Sequence, residues 1–149
     1  MYQRILVPVD GSDTSLQGLD EAIKLAGLTG GALRLLYVVD ELMFVSNIQE
    51  YSTYSADLAR LLKDAGVAIL RTSAERAKAE GVAVDTLLIE SVGGRVADVI
   101  VEQANQCQAD LIVLGTHGRR GLRRAALGSD AEQVVRVAPV PVLLVRGRD

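Results

Sequence analysis

The residue pattern predicts one α/β domain, an open five-stranded and mostly parallel sheet with helices on both faces. Three observations carry that expectation. Five short aliphatic runs punctuate the chain, at Ile5–Val9, Leu33–Val39, Val82–Ile89, Leu111–Leu114 and Val140–Val145. Stretches with apolar residues at helical spacing separate them, which is the order of a βαβ fold with right-handed crossovers. Leu111-Ile-Val-Leu114 also lacks polar alternation, as a strand covered on both faces should.

The elements follow in chain order. After the first run, Leu16, Leu19, Ala22, Ile23 and Ala26 form one apolar stripe. Ser12, Asp13 and Thr14 are N-cap candidates, Thr14 and Gln17 have capping-box spacing, and Gly30-Gly31 ends the helix. The segment from Asp40 to Thr53 is long for a connection and reads as a loop. A second helix is predicted from near Ser55 to Glu80, with Leu58, Leu61, Leu62, Ala65 and Ile69 inward and Gly81 as its stop. A third carries Val96, Val99, Ile100, Gln103, Ala104 and Cys107 on one face. A fourth starts at a capping box, Ser129-Asp-Ala-Glu132, and closes before Pro139. Pro141 stands inside the last run and removes a ladder donor, so that strand belongs at a sheet edge, where a partner chain would cover it.

Composition narrows the function classes. A chain of 149 residues with 49% hydrophobic and 23% charged residues forms a core rather than a disordered segment. Aromatics are only 3%, so that core is aliphatic. The single cysteine, Cys107, allows no internal disulfide and points to a reducing cytoplasm. The N-terminal stretch reads as neither signal peptide nor membrane span, and no apolar run is long enough to insert. The net charge of -3 argues against nucleic acid as the main partner. Charge is uneven, however. The part from Gly115 onward has a balance of +4, and Arg119, Arg120, Arg123 and Arg124 cluster in one glycine-rich stretch. That stretch is either a solvated basic loop or a seat for a small anion.

Ligands of open parallel sheets collect at the carboxyl ends of the strands, where strand order reverses. The residues there are Asp10-Gly-Ser-Asp, Val39-Asp-Glu, Ser91-Val-Gly-Gly and Gly115-Thr-His-Gly-Arg-Arg-Gly. The last leads to Gly128-Ser129 and then a helix. Glycines permit close backbone approach to an anion, and the amides opening the next helix favour negative charge. A plain connection with glycine turns is the alternative, but this one is long for that role.

Gly115-x-x-Gly118, nine residues, then Gly128-Ser129 matches the pattern G-x2-G-x9-G-[S/T] without a gap. With Ile5-Leu-Val-Pro-Val-Asp-Gly-Ser, Asp110-Leu-Ile-Val-Leu-Gly-Thr-His-Gly and Pro139-Val-Pro-Val-Leu-Leu-Val-Arg146, the chain resembles a single-domain universal stress protein. The resemblance reaches both termini and is weakest from Asp40 to Gly66. It implies a Rossmann-like fold of the adenine nucleotide alpha hydrolase type. It further implies that Pro8, Val9 and Asp10 border an adenosine, with Asp10 serving ribose or metal–phosphate contacts. The main chain of Val38 would meet adenine, and Gly115, Gly118, Gly128 and Ser129 would wrap ribose and phosphates, with Arg119 as countercharge. The ligand so implied is ATP with Mg²⁺, and the assembly a homodimer through the strand Val140–Val145. Asp130 departs from the family pattern, which has a small apolar residue there. A carboxylate in the first helical turn satisfies the helix dipole and repels a γ-phosphate, or holds Mg²⁺, which brings ADP, AMP or a metal-dependent mode into play.

The remaining candidates are weighed on their chemistry. His117 is the only histidine, so neither a His-based metal site nor a histidine-paired triad is available, and its place in the Gly-x-His-Gly turn is read as structural. Asp13 reads as a cap and Cys107 as an inert core residue. Gly93-Gly94 supply turn geometry, and Tyr51 and Tyr54 belong to the long loop or lid an adenine pocket. No P-loop and no general base for water attack is visible, which leaves at most a slow ATPase. The sequence reading is therefore a cytoplasmic, homodimeric, ATP-binding regulator acting on an unidentified protein partner. Its competitor is a nucleotide-independent interaction module, which Asp130 favours.

Overall fold

A computed structural model describes residues 1–40, 54–117 and 127–147. The elements are β1 (Arg4–Pro8), α1 (Asp13–Thr29), β2 (Ala32–Asp40), α2 (Tyr54–Ala79), β3 (Val84–Ser91), α3 (Val96–Gln106), β4 (Leu111–Gly115), α4 (Ser129–Val137) and β5 (Val142–Val145). The strands form one sheet in the order β3-β2-β1-β4-β5, every neighbouring pair parallel. The chain winds outward from β1 to β3, returns past β1 to β4 and winds outward again to β5. Strand order thus reverses between β1 and β4.

Side-chain alternation along the strands builds two cores. Ile5, Val7, Leu33, Leu35, Tyr37 and Val113 pack with α1 and α2 on one face. Leu6, Leu36, Ile112 and Leu114 pack with α3 and α4 on the other. The inner strands are covered on both sides, which is why Leu111–Leu114 shows no polar alternation. Each fully buried Leu or Ile contributes about 1.5–3 kcal/mol over leaving it in water. Asp110 ties the start of β1 to β4, its carboxylate accepting the N–H groups of Gln3 (2.8 Å) and Arg4 (3.0 Å).

Several local expectations are corrected. Ser12 caps α1, its hydroxyl accepting the Ser15 N–H, so Asp13 is the first helical residue and Thr14 lies inside the helix. On α2 the inward stripe runs through Gly66, Leu70, Ser73, Ala74 and Ala77, while Leu61 is 66% exposed and Ala65 is exposed as well. Tyr37 sets that phase: a Cβ on Gly66 would come within 2.6 Å of its ring, so the helix turns its glycine toward the sheet. A search by side-chain size misses such a hole. Val82 is buried but belongs to the turn after Gly81, and β3 begins two residues later. Pro141 immediately precedes β5 rather than interrupting it, and its carbonyl accepts the Ile112 N–H. The edge position expected for the last strand is observed, and β3 forms the other edge. Of the long loop after β2, residues 41–53 lie outside the described residues, Tyr51 among them.

Candidate functional site

The reversal between β1 and β4 leaves a crevice at their carboxyl ends, the position at which open α/β sheets take ligands. Pro8 closes β1, and the Val9 N–H makes the last contact to β2, donating to the Leu36 carbonyl at 2.8 Å. The Val9 side chain is 3% exposed in the α1–α2 core, so only its main chain faces the crevice. Peptide groups two residues apart on a strand point the same way. Val38 therefore presents its N–H and C=O on the β1 side, one step beyond the end of β1, while its side chain packs on the α3–α4 core.

Asp10 is half-buried and shapes the turn into α1. One carboxylate oxygen accepts the Ser12 N–H (2.9 Å), and the Asp10 N–H donates to Ser15 Oγ (3.0 Å). These two bonds make Asp10 an anchor of the loop that enters α1.

Gly115 meets a steric demand that its motif did not imply. A Cβ there would lie 2.6 Å from the Thr14 carbonyl oxygen, and one on Gly18 would lie 3.2 Å from the Gly115 nitrogen. The glycine lets the first turns of α1 sit directly on the end of β4, and the space above it is filled by protein main chain. Beyond it, Thr116 donates its N–H to Val145 (3.0 Å) and accepts the Gly128 N–H on its carbonyl (2.7 Å). This pair of bonds brings the entry of α4 to the crevice.

Gly128 is the N-cap of α4, in an ordinary extended conformation and without a side chain to cap the helix. Ser129 and Asp130 are its first two residues and are exposed. The expected capping box does not form, because Ser129 is already helical and Glu132 instead pairs with Arg136 at 2.8 Å. The Gly128 amide, spent on Thr116, is not among the groups α4 could offer an anion. The amides that follow keep the helix-start geometry suited to one. Gly118 and Arg119 lie outside the described residues, as do Arg120, Arg123 and Arg124.

Two residues gain importance from the structure. The Thr14 hydroxyl donates to the His117 carbonyl, and Thr116 Oγ1 lies 2.9 Å from His117 Nδ1. The His117 Nε2 is buried with no hydrogen-bond partner among the described residues. The only sequence-level hint of this junction is Gly18, a glycine in a helix interior, where it costs about 1 kcal/mol relative to Ala unless close packing needs it. Among the described residues no three His, Cys, Asp or Glu side chains are grouped to hold a metal ion. A cleft of about 400 Å³ between α2 and β3, floored by Leu70, Ala74 and Leu88, contains none of the residues of the crevice. Beside it, Asp85 holds the Arg34 guanidinium through two hydrogen bonds and raises its pKa.

Comparison with known proteins places these features in context. The model of the universal stress protein family matches residues 1–146. Universal stress protein MJ0531 of Methanocaldococcus jannaschii is 40% identical over 146 residues, covering 98% of this chain and 83% of the relative. A universal stress protein family structure from Burkholderia pseudomallei superposes with a TM-score of 0.78 at 34% identity, covering 97% of this chain and 96% of that one. A universal stress protein solved in complex with cAMP gives a TM-score of 0.68 at 29% identity, covering 99% and 98%.

Proposed function

Since the chain belongs to the universal stress protein family, we propose that it is a nucleotide-responsive regulatory protein that binds ATP, or in its place ADP or AMP, in the β1–β4 crevice. The observation that carries the reading is the Gly128–Thr116 hydrogen bond, which sets an uncapped helix start beside the carboxyl ends of β1 and β4. The relative that was solved with cAMP supports an adenine nucleotide as the ligand class.

In this reading the Val38 main chain serves adenine, and Pro8, Val9 and Asp10 border the adenosine. Ser129 and the first amides of α4 take phosphate, joined by Gly118 and Arg119. Mg²⁺, when bound with the nucleotide, neutralises phosphate charge. Gly115 admits α1 to the end of β4, and its main chain joins Gly118 and Gly128 around ribose and phosphates. The chain acts by state-dependent binding in the cytoplasm: nucleotide alters a surface read by a protein partner, to the extent that it binds one state more tightly than the other. The protein is a homodimer through Val140–Val145, where β5 leaves one edge uncovered. No described helix is long and apolar enough to cross a membrane. Any hydrolysis of ATP is slow.

A second reading, a dimeric interaction module that needs no nucleotide, is favoured by Asp130 and by the engagement of the Gly128 amide. One experiment separates the two. Purified protein is heat-denatured and its supernatant assayed for nucleotide, and refreshed protein is titrated calorimetrically with ATP, ADP and AMP, with and without Mg²⁺. Binding tighter than millimolar supports the nucleotide reading, and Gly118→Val should remove it. Silence in every titration establishes the interaction module.

A further inference from the structure

Resting on the nucleotide reading above, we propose that Thr14 is a positioning residue of that site: it grips the His117 main chain and thereby presents the His117 Nε2 to the bound nucleotide. Three contacts hold His117 from independent directions. The Thr14 hydroxyl donates to its carbonyl, Thr116 Oγ1 engages its Nδ1, and the preceding Thr116 N–H is fixed to β5 at Val145. Gly115 and Gly18 are required for this grip, since a side chain at either would push α1 away from the end of β4. All these restraints leave one atom unserved. The Nε2 is buried and has no partner among the described residues, a state that folded proteins rarely tolerate without a use for it. Its place at the carboxyl end of β4 makes a ribose or phosphate oxygen the partner the site supplies. With Nδ1 held by a hydroxyl, the ring can keep Nε2 protonated as a donor to such an oxygen.

Shape and hydroxyl separate cleanly at position 14. The Thr14 methyl carbon packs toward Gly147, where a Cβ would come within 3.0 Å. Thr14→Val keeps that methyl and deletes the hydroxyl, whereas Thr14→Ser keeps the hydroxyl and deletes the methyl. Both variants, with His117→Leu and His117→Gln, are titrated with ATP and AMP, melted, and followed by hydrogen exchange across residues 115–117. Thr14→Val should weaken nucleotide binding about fivefold, the scale of one hydrogen bond, and speed exchange at His117. Thr14→Ser should bind within about twofold of the parent despite a lower melting temperature. His117→Leu should lose about tenfold, and His117→Gln, whose amide reaches where Nε2 lies, should recover most of it. A merely structural latch gives the opposite split, with Thr14→Val melting lower yet binding normally, and that result overturns the proposal. So does normal binding by His117→Leu. If the parent protein binds no nucleotide, the functional reading falls. The proposal falls with it in that case, whereas in a parent that does bind, unchanged exchange at His117 in Thr14→Val overturns the proposal alone.

Discussion

Single glycines in this protein have opposite tolerances, and the surroundings of the absent Cβ decide which. At Gly115 the obstacle is the Thr14 main chain, which cannot rotate aside. Gly115→Ala should cost about 1–3 kcal/mol or more in denaturant melts, because overpacking must be relieved by moving α1. At Gly66 the obstacle is the Tyr37 ring. There the helix-propensity gain of about 1 kcal/mol opposes a packing cost of about 1–3 kcal/mol, and the sum should destabilise. Gly27, in the same helix as Gly18, has nothing within 4 Å of its Cβ position. Gly27→Ala should therefore stabilise by about 0.5–1 kcal/mol. The Gly66 and Gly27 melts test the packing directly, since both glycines lie within helices and only the surroundings differ. Asp110→Ala removes an anchor for two N–H groups at the entry of β1 and should cost about 1–3 kcal/mol.

At the scale of elements, the start of α4 sets stability against ligand charge. Its first turn carries Asp130 and Glu132, which favour the helix dipole by about 0.3–1 kcal/mol each. On the nucleotide reading the same Asp130 carboxylate opposes a polyphosphate. Asp130→Ala should lower the melting temperature slightly while improving ATP affinity relative to AMP by about tenfold without Mg²⁺, the scale of one like-charge contact removed at a protein surface. Titrations of parent and variant with both nucleotides provide the check, and an unchanged ATP-to-AMP ratio would remove Asp130 from the phosphate site. The helix α2 shows the same precedence of packing over local preference. Its Gly66 faces the sheet while Leu61 is left exposed, because the Tyr37 ring needs the space.

For the molecule as a whole, the two sheet edges differ in length and protection. The β3 edge has Asp85 and Glu90 paired with Arg34 and Lys63. At the β5 edge Leu143 is 39% exposed, and on α4, which packs on the other face of the sheet, Val135 and Val137 are exposed too. Charged residues blunt an open strand edge. If the homodimer forms through Val140–Val145, Leu143→Lys should shift sedimentation toward monomer while the monomer fold, read by far-ultraviolet dichroism, persists. Nucleotide binding should also stabilise the whole domain, by about 2.7 kcal/mol at a hundredfold excess over Kd.

Alternation of aliphatic runs with helical stripes was enough to determine the class of fold, the five strands and the edge position of the last, because each depends on local periodicity and on which residues can be buried. The Gly115-to-Ser129 pattern likewise starts at the carboxyl end of β4 and returns to it at Gly128. The sequence did not reveal what each residue does there. Gly115 makes room for α1, Ser12 caps in place of Asp13, and the Gly128 amide goes to Thr116. Thr14 and His117 are 103 residues apart in the chain and meet only because α1 lies across the end of β4. Spacing rules describe neighbours along a helix or strand. Contacts between distant elements depend on how closely the backbones approach, and only the tertiary structure decided that.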